Sequence, residues 1–120
     1  MGVGPDELAR TLVQRHAAER RRAKSRGEAL REELQGMVRE EIAAGRIDRA
    51  WLVGSLAWGG FDLSSDVDVV VEGLAADDST ALWDRLCTAL GTRVDLLRLE
   101  GLTSAFAHRV RSEGEPLHVP

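Results

Sequence analysis

The stretch 51–72 reads WLVGSLAWGGFDLSSDVDVVVE and carries the clearest structural pattern in the chain. An apolar run at 50–53 stops at Gly54-Ser55, and after a turn containing glycine and serine a β-branched run follows at 66–71. Short apolar runs rich in valine are typical of strands. The stretch therefore predicts two strands joined by a turn.

Two aspartates in the second run are predicted to share one face of the strand. Side chains alternate between the faces of a strand, so Asp66 and Asp68 emerge on one side while the neighbouring valines point into a core. Like charges at this spacing disfavour double ionisation. A divalent cation such as Mg2+ relieves that repulsion and completes its shell with water and substrate phosphates. The pair therefore predicts a metal site.

The end of the first strand offers a place for the phosphates of a nucleotide. Gly54 lets the backbone approach a ligand closely, and Ser55 has a hydroxyl and an N–H that can donate to phosphate oxygens. Together with the aspartates, this pattern predicts a metal–nucleotide site. The alternative is a solvated hairpin whose two aspartates simply face water, since alternation is what any half-buried strand shows.

The spacing Gly54-Ser55, ten residues, Asp66-x-Asp68 resembles the G-S-x10-D-x-D signature of the DNA polymerase beta-like nucleotidyltransferase superfamily. Its form is most similar to the minimal nucleotidyltransferases, which include the MntA-type antitoxins paired with HEPN toxins. Those proteins have a third acidic residue on a later strand, and Asp95 fits that description. The resemblance implies an α/β fold of the polymerase beta-like type, with a small mixed β-sheet flanked by helices. Residues 1–27 have no counterpart in the family pattern, and we expect them to add an extra N-terminal helix that covers the domain or contacts a partner.

The resemblance also implies a function. A protein of this kind is expected to use Mg2+, as two ions, to transfer AMP from ATP to a hydroxyl acceptor, and we take a tyrosine of a partner HEPN toxin as the hypothetical acceptor. The implied residues are Asp66, Asp68 and Asp95 for catalysis and metal binding, and Gly54, Ser55 and Ser65 for ATP binding. The expected partners are therefore ATP and a HEPN-type protein.

Two features compete with this interpretation. Trp58 stands where family members often carry arginine, so a positive charge near the phosphates is missing. Asp95 shares a strand face with leucines, and its alternative role is a buried ion pair with Arg93 or Arg98. Two other functions stay open: a non-catalytic antitoxin that keeps the fold and covers its partner, and an enzyme acting on a small hydroxylated molecule such as an aminoglycoside.

The composition is that of a soluble protein with one domain. The 120 residues are 43% hydrophobic and 30% charged, with a net charge of -4, and hold no apolar run long enough to span a membrane. No basic segment followed by an apolar core begins the chain, so we expect a cytoplasmic protein. The acidic balance argues against direct nucleic-acid binding, and the single Cys87 excludes an internal disulfide.

The sequence before residue 50 predicts two helices. One spans residues 6–24 and the other 28–44, with an interruption at 25–27 where Gly27 follows a serine and an arginine. We accordingly divide the chain into a helical extension at 1–27 and a minimal nucleotidyltransferase domain at 28–120. The run of basic residues late in the first helix, at 20–26, is interpreted as a solvated helix face, and the alternative is a patch that binds nucleic acid or an acidic partner.

The later sequence predicts the rest of an α/β domain. We expect a helix at 79–90, a strand at 93–99, a helix at 103–111 and an edge strand at 117–119. Two of the three tryptophans, Trp51 and Trp83, are predicted to lie in the core.

Overall fold

The computed structural model describes residues 4–119 and contains one four-stranded sheet with helices on both faces. The helices are α1 (Pro5–Ala43), α2 (Gly54–Trp58), α3 (Ser79–Leu90) and α4 (Ser104–Glu113). The strands are β1 (Arg49–Val53), β2 (Val67–Glu72), β3 (Val94–Arg98) and β4 (Glu115–Pro116), and single 3-10 turns lie at Ala76–Asp78 and Leu99–Gly101. This architecture confirms the predicted fold class.

The sheet is mixed and has the strand order β3-β2-β1-β4. Strand β1 pairs antiparallel with β2 and with β4, whereas β2 and β3 are parallel. The antiparallel register sets Val53 opposite Asp68, and the parallel register sets Asp68 opposite Asp95. The predicted pair of strands is therefore confirmed, and the strands that carry the predicted acids are neighbours.

Each face of the sheet has its own hydrophobic cluster. The larger cluster joins α1 and α3 to alternate residues of the strands, and its fully buried members include Leu34, Leu52, Leu82, Val67 and Val69. The smaller cluster lies under α4 and consists of Trp51, Val53, Val70, Leu99 and Val110. Because side chains alternate along a strand, Asp68 lies on the face of the smaller cluster.

Helix α1 corrects the prediction of two helices, because it runs for 39 residues through the expected interruption at 25–27. Gly27 is buried against the following part of the fold, and a Cβ at this position would lie 2.9 Å from Leu56 Cδ1. Arg26 donates a hydrogen bond to the Leu90 carbonyl at 2.6 Å. The glycine thus permits close packing within a helix, and the division at residue 27 stays a prediction.

The C-terminal elements lie close to their predicted bounds: β3 is one residue shorter at each end than the predicted 93–99, and α4 spans 104–113 where 103–111 was predicted. Helix α3 has its predicted range, and α4 begins where Thr103 caps it by accepting a hydrogen bond from the Phe106 amide at 3.2 Å. The edge strand is β4, two residues before the predicted 117–119, because Leu117 leaves the edge and is fully buried. The prediction of that strand's position was wrong.

The structure buries only one of the two tryptophans that are predicted to lie in the core. Trp51 is 5% exposed, which confirms its place in the core. Trp83 is 45% exposed, so its predicted burial is wrong. Its indole Nε1 donates to the Val94 carbonyl at 2.8 Å, and this bond holds the ring at the border of the sheet, where the N–H is satisfied and the ring edge faces solvent.

One buried carboxylate ties α1 to α3. Glu41 is 5% exposed and is bound by Arg85 of α3, with contacts of 3.1 Å, and by Arg46 at 2.6 Å. Burial alone would raise the pKa of Glu41, but the hydrogen bonds and charges of the two arginines outweigh burial and lower it. The ion pairs therefore fix the helix pair that covers one face of the sheet.

Candidate functional site

The centre of the candidate site is a pair of aspartates on neighbouring parallel strands. Asp68 of β2 and Asp95 of β3 are directly opposite in the register, and the side chain and charge of Asp95 raise the pKa of Asp68 in addition to burial. Asp95 is exposed and forms no ion pair with Arg93 or Arg98, so the alternative role considered for it is wrong. The two acids therefore converge on one face of the sheet, as predicted.

Asp66 takes a different position from the other two acids. It precedes β2, and its Oδ1 lies 3.8 Å from Nε of Arg93. Its charge still acts on Asp68, because Asp66 contributes to the electrostatic environment of that carboxyl group. Two of the three predicted acids therefore touch, while the third lies nearby and faces an arginine.

The environment of Asp68 favours its protonated form. Burial raises the pKa of Asp68 to about 6, together with the side chain of Asp95 and the negative charges of Asp95 and Asp66. A carboxyl group with this pKa holds a proton below about pH 6 and is mostly ionised at pH 7, where a cation can take the place of the proton. The pair is therefore an acceptor for a proton or a metal ion.

Gly54 is held beside the acids by the end of β1. Its φ is +73°, a conformation that favours glycine, and a Cβ here would overlap the Asp68 carboxylate. The sequence indicates a close approach of the backbone to a ligand at this position. The close approach that the structure contains is to Asp68, and a role of Gly54 in nucleotide binding stays a prediction.

A cavity of about 340 Å³ opens over the two acids. Its polar part is formed by the acids and the backbone of Gly54, and its apolar part by strand and helix side chains. The lining residues are Val53, Gly54, Trp58, Asp68, Asp95, Leu96, Leu97 and Phe106. A small ligand with a charged end and a planar or apolar end matches this lining.

Trp58 closes one side of this cavity and is held there by contacts with α4. Its indole Nε1 donates to the Glu113 carbonyl at 2.8 Å, and the guanidinium carbon of Arg109 lies 4.2 Å from the centre of its ring. Sequence reasoning missed Arg109, because no local pattern connects α4 with a residue of α2 that lies far earlier in the chain. The position where arginine is expected thus carries a tryptophan stacked on an arginine.

The two predicted serines lie elsewhere. Ser55 lines a second, larger cleft of about 680 Å³ on the other side of α2. The Ser65 hydroxyl accepts a hydrogen bond from the Asp62 amide at 3.0 Å and lies 3.2 Å from Asp62 Oδ1. Ser65 therefore stabilises the turn at 62–65, and its role in binding ATP stays a prediction.

The acids fit a magnesium–nucleotide complex better than a self-contained metal centre. Within residues 4–119, no three His, Cys, Asp or Glu side chains are grouped to hold a metal by themselves. Mg2+ usually binds through one or two carboxylates and completes its shell with phosphate and water oxygens. Asp68 and Asp95 supply that number of carboxylates, with Asp66 within electrostatic reach.

Comparison with solved structures identifies the class of the fold. A structure provisionally named as a minimal nucleotidyltransferase is 28% identical, with a TM-score of 0.58 over 78% of this chain and 90% of that one. A toxin–antitoxin structure with AMP-PNP is 23% identical, with a TM-score of 0.58 over 69% of this chain and 71% of that one. The MntA–HepT toxin–antitoxin structure is 20% identical, with a TM-score of 0.52 over 70% and 68%.

These likenesses confirm the predicted resemblance, because the chain has the fold of the minimal nucleotidyltransferases. Its particular neighbours among solved structures include toxin–antitoxin complexes. Neither a protein-family model nor a curated protein matches the chain by sequence. Across residues 4–119, no helix combines the length and apolar character needed to cross a bilayer.

Proposed function

We propose that the protein is a Mg2+-dependent nucleotidyltransferase that transfers AMP from ATP to a hydroxyl group, with a tyrosine of a HEPN-type toxin as the acceptor. The observation that carries the proposal is the Asp68–Asp95 pair, which faces an open cavity from two neighbouring strands of this fold. Such a pair is costly in a protein without a cation or a proton to neutralise it, so its presence supports a site for both.

The residues have separate roles in the proposed reaction. Asp68 and Asp95, with Asp66 beside them, would hold Mg2+, which when bound supplies positive charge to the attacking and leaving oxygens of the displacement. Asp95 is exposed to the cavity and accepts the proton of the incoming hydroxyl. A new bond then forms between the hydroxyl oxygen and the α-phosphorus, the bond to the bridging oxygen breaks, and pyrophosphate leaves with its electron pair.

The proposed acceptor rests on the structural neighbours and on the size of the chain. Neighbours of the same fold are named as toxin–antitoxin complexes, and one of them carries AMP-PNP. The chain has 120 residues and one sheet, so within the described part the acceptor is not held by a second domain. A partner protein that brings its own hydroxyl to the cavity suits this arrangement.

The test is transfer of label from ATP radiolabelled at the α-phosphate to a candidate HEPN partner in the presence of Mg2+. We expect Asp68→Asn to lower the transfer by at least about a hundredfold, since it removes one of two converging carboxylates. Asp84→Asn, on the exposed face of α3, is the matched control and should keep full transfer. Transfer that survives in both Asp68→Asn and Asp95→Asn would contradict the proposal.

A second candidate function is a non-catalytic antitoxin, and the tryptophan at position 58 favours it. Trp58 removes the local positive charge expected beside the phosphates, and its indole is engaged with Glu113 and Arg109. This function predicts a tight complex with the toxin and no transfer of label to it. Label found on an added aminoglycoside instead would indicate a small-molecule nucleotidyltransferase.

A further inference from the structure

A cleft larger than the cavity over the acids lies on the side of α2 that faces away from them. The cleft, of about 680 Å³, is bounded by α1 on one wall and by the loop at 59–64 on the other. The buried face of α1 includes Ala23, Gly27 and Leu34, and at about 100° per residue His16 and Arg20 continue that face beyond the sheet. This part of α1 therefore overhangs the loop, and the space between them is the cleft.

The cleft is basic, although the domain around it is acidic. Residues 28–120 hold nine basic and 17 acidic side chains, a net charge of -8. The charged side chains that line the cleft are Arg20, Arg22, Lys24, Arg31, Glu19 and Asp62, a net charge of +2. Positive charge is thus concentrated on the α1 wall of this cleft, where three of the four cations precede the negative domain, and this distribution is typical of a site for an anion.

Three of the four cations, Arg20, Arg22 and Lys24, form no ion pair within residues 4–119, and Arg20 and Lys24 share one face of the helix. Arg31 donates to the Leu56 carbonyl and to Glu115, the latter at 3.1 Å, so its guanidinium is engaged. Arg20 and Lys24 lie one helical turn apart, and across residues 4–119 no carboxylate lies within ion-pair distance of either side chain. The two side chains are therefore available to bind an anion.

Helix α2 connects this cleft with the site of the acids. Gly54 lines the cavity over Asp68 and Asp95, and the next residue, Ser55, lines the basic cleft. A ligand can extend from one cavity toward the other if one of its phosphates lies at the acids and its further phosphates lie beside Ser55. A nucleoside triphosphate has this shape, because its β- and γ-phosphates follow the α-phosphate as a charged tail.

We propose that Arg20 and Lys24 of the α1 overhang bind the terminal phosphates of the nucleoside triphosphate. This inference rests on the proposed function and assigns to the N-terminal helix the positive charge that position 58 does not supply. The two side chains select a triphosphate over a monophosphate and hold pyrophosphate as it leaves. Arg20 and Lys24 are positioning residues, since the reacting α-phosphorus lies at the acids.

The test compares nucleotide affinities of two full-length double variants by calorimetry in Mg2+. R20Q/K24Q removes the two cleft cations, and R10Q/R21Q removes two charges from the same helix that do not line the cleft. For R20Q/K24Q we expect the Kd of ATP to rise about tenfold, because charge-assisted hydrogen bonds to the terminal phosphates are lost, while the Kd of AMP stays unchanged. R10Q/R21Q should bind both nucleotides as the wild type does.

The outcomes separate this inference from the function on which it rests. A wild-type protein that binds neither ATP nor AMP overturns the proposed function and the inference with it. Wild-type binding of ATP with an unchanged Kd in R20Q/K24Q overturns the inference alone. An equal loss of ATP and AMP affinity in R20Q/K24Q also overturns the inference. A loss of affinity for a toxin partner without a change for ATP overturns it as well, and would assign the cleft to the partner.

Discussion

At the scale of single residues, Asp68 links the stability of the protein to its function. Its pKa is about 6, against an ordinary value of 3.8, so the folded state binds a proton more tightly than the unfolded state does. This difference sets the direction in which the stability of the protein changes with pH. The contribution of Asp68 to stability is fully present below pH 4 and is lost as the pH rises through 6. Above that pH, in the absence of cations, the ionised carboxylate destabilises the fold.

Replacement of this carboxylate should therefore stabilise the protein. We expect Asp68→Asn to increase the free energy of unfolding at pH 8 by on the order of 1 kcal/mol, a value that allows for solvent screening of a partly exposed group. The gain should disappear near pH 4. Thermal melts between pH 4 and 8 in the presence of a chelator measure it, with Asp84→Asn as the control. An equal gain at pH 4 and pH 8 would show that charge is not the cause.

The same residues show how far local sequence determined the site. Alternation along the second strand correctly placed Asp68 on the face opposite Val67, Val69 and Val71, whereas the position of Asp95 beside it was expected only from the family resemblance. The orientation of Asp66 toward Arg93 and the stack of Trp58 on Arg109 were not predictable. Both depend on which side chains the tertiary fold brings together, and no short-range pattern encodes that.

At the scale of elements, Glu41 joins α1 to α3 and should oppose Asp68 in its pH dependence. The two arginines lower the pKa of Glu41, so its stabilising effect is present above pH 4.5 and is lost as the pH falls through the lowered value. We expect Glu41→Gln to cost about 1–2 kcal/mol at pH 7, because Arg46 and Arg85 lose a charged partner but remain partly hydrated.

Urea unfolding at pH 7 and pH 3 measures this effect. The cost of Glu41→Gln should be larger at pH 7 than at pH 3, because the stabilisation by the ionised carboxylate declines as the pH falls from 4.5 through the lowered pKa of the folded state. Glu33→Gln, on the exposed face of the same helix, is the matched control and should change stability by less than about 0.5 kcal/mol. A pH-independent cost would assign the effect to packing in place of charge.

The elements also show why sequence reasoning misplaced one boundary. The bounds of α3 and the strand of the third acid were predictable from apolar periodicity and a flanking glycine. Gly27 has the same local signature as a helix stop, yet it lies inside α1 because Leu56 and Phe61 pack against it from beyond the first strand. A glycine required for close packing and a glycine that ends a helix differ only in their long-range contacts.

At the scale of the whole molecule, α1 makes the protein elongated, with extents of 64 × 30 × 25 Å. Residues 4–16 are exposed, and among them the apolar side chains of Leu8, Leu12 and Val13 are 45–65% exposed. The first buried residue of the helix is Ala23. The part of α1 before the cleft therefore contributes little to the core, and the part that forms the cleft wall contributes more.

Two N-terminal deletions measure this difference. Deletion of residues 1–15 should lower Tm by less than about 3 °C and leave the Kd of ATP unchanged, because the described residues that it removes, 4–15, are all exposed and both cleft cations are retained. Deletion of residues 1–27 removes buried Ala23, the Gly27 contact with Leu56 and the Arg26 bond to the Leu90 carbonyl. It should cost about 1–2 kcal/mol and weaken ATP binding about tenfold. Equal Tm values in the two deletions would instead indicate that residue 27 is a domain boundary. Equal ATP affinities would show that the overhang does not bind the nucleotide.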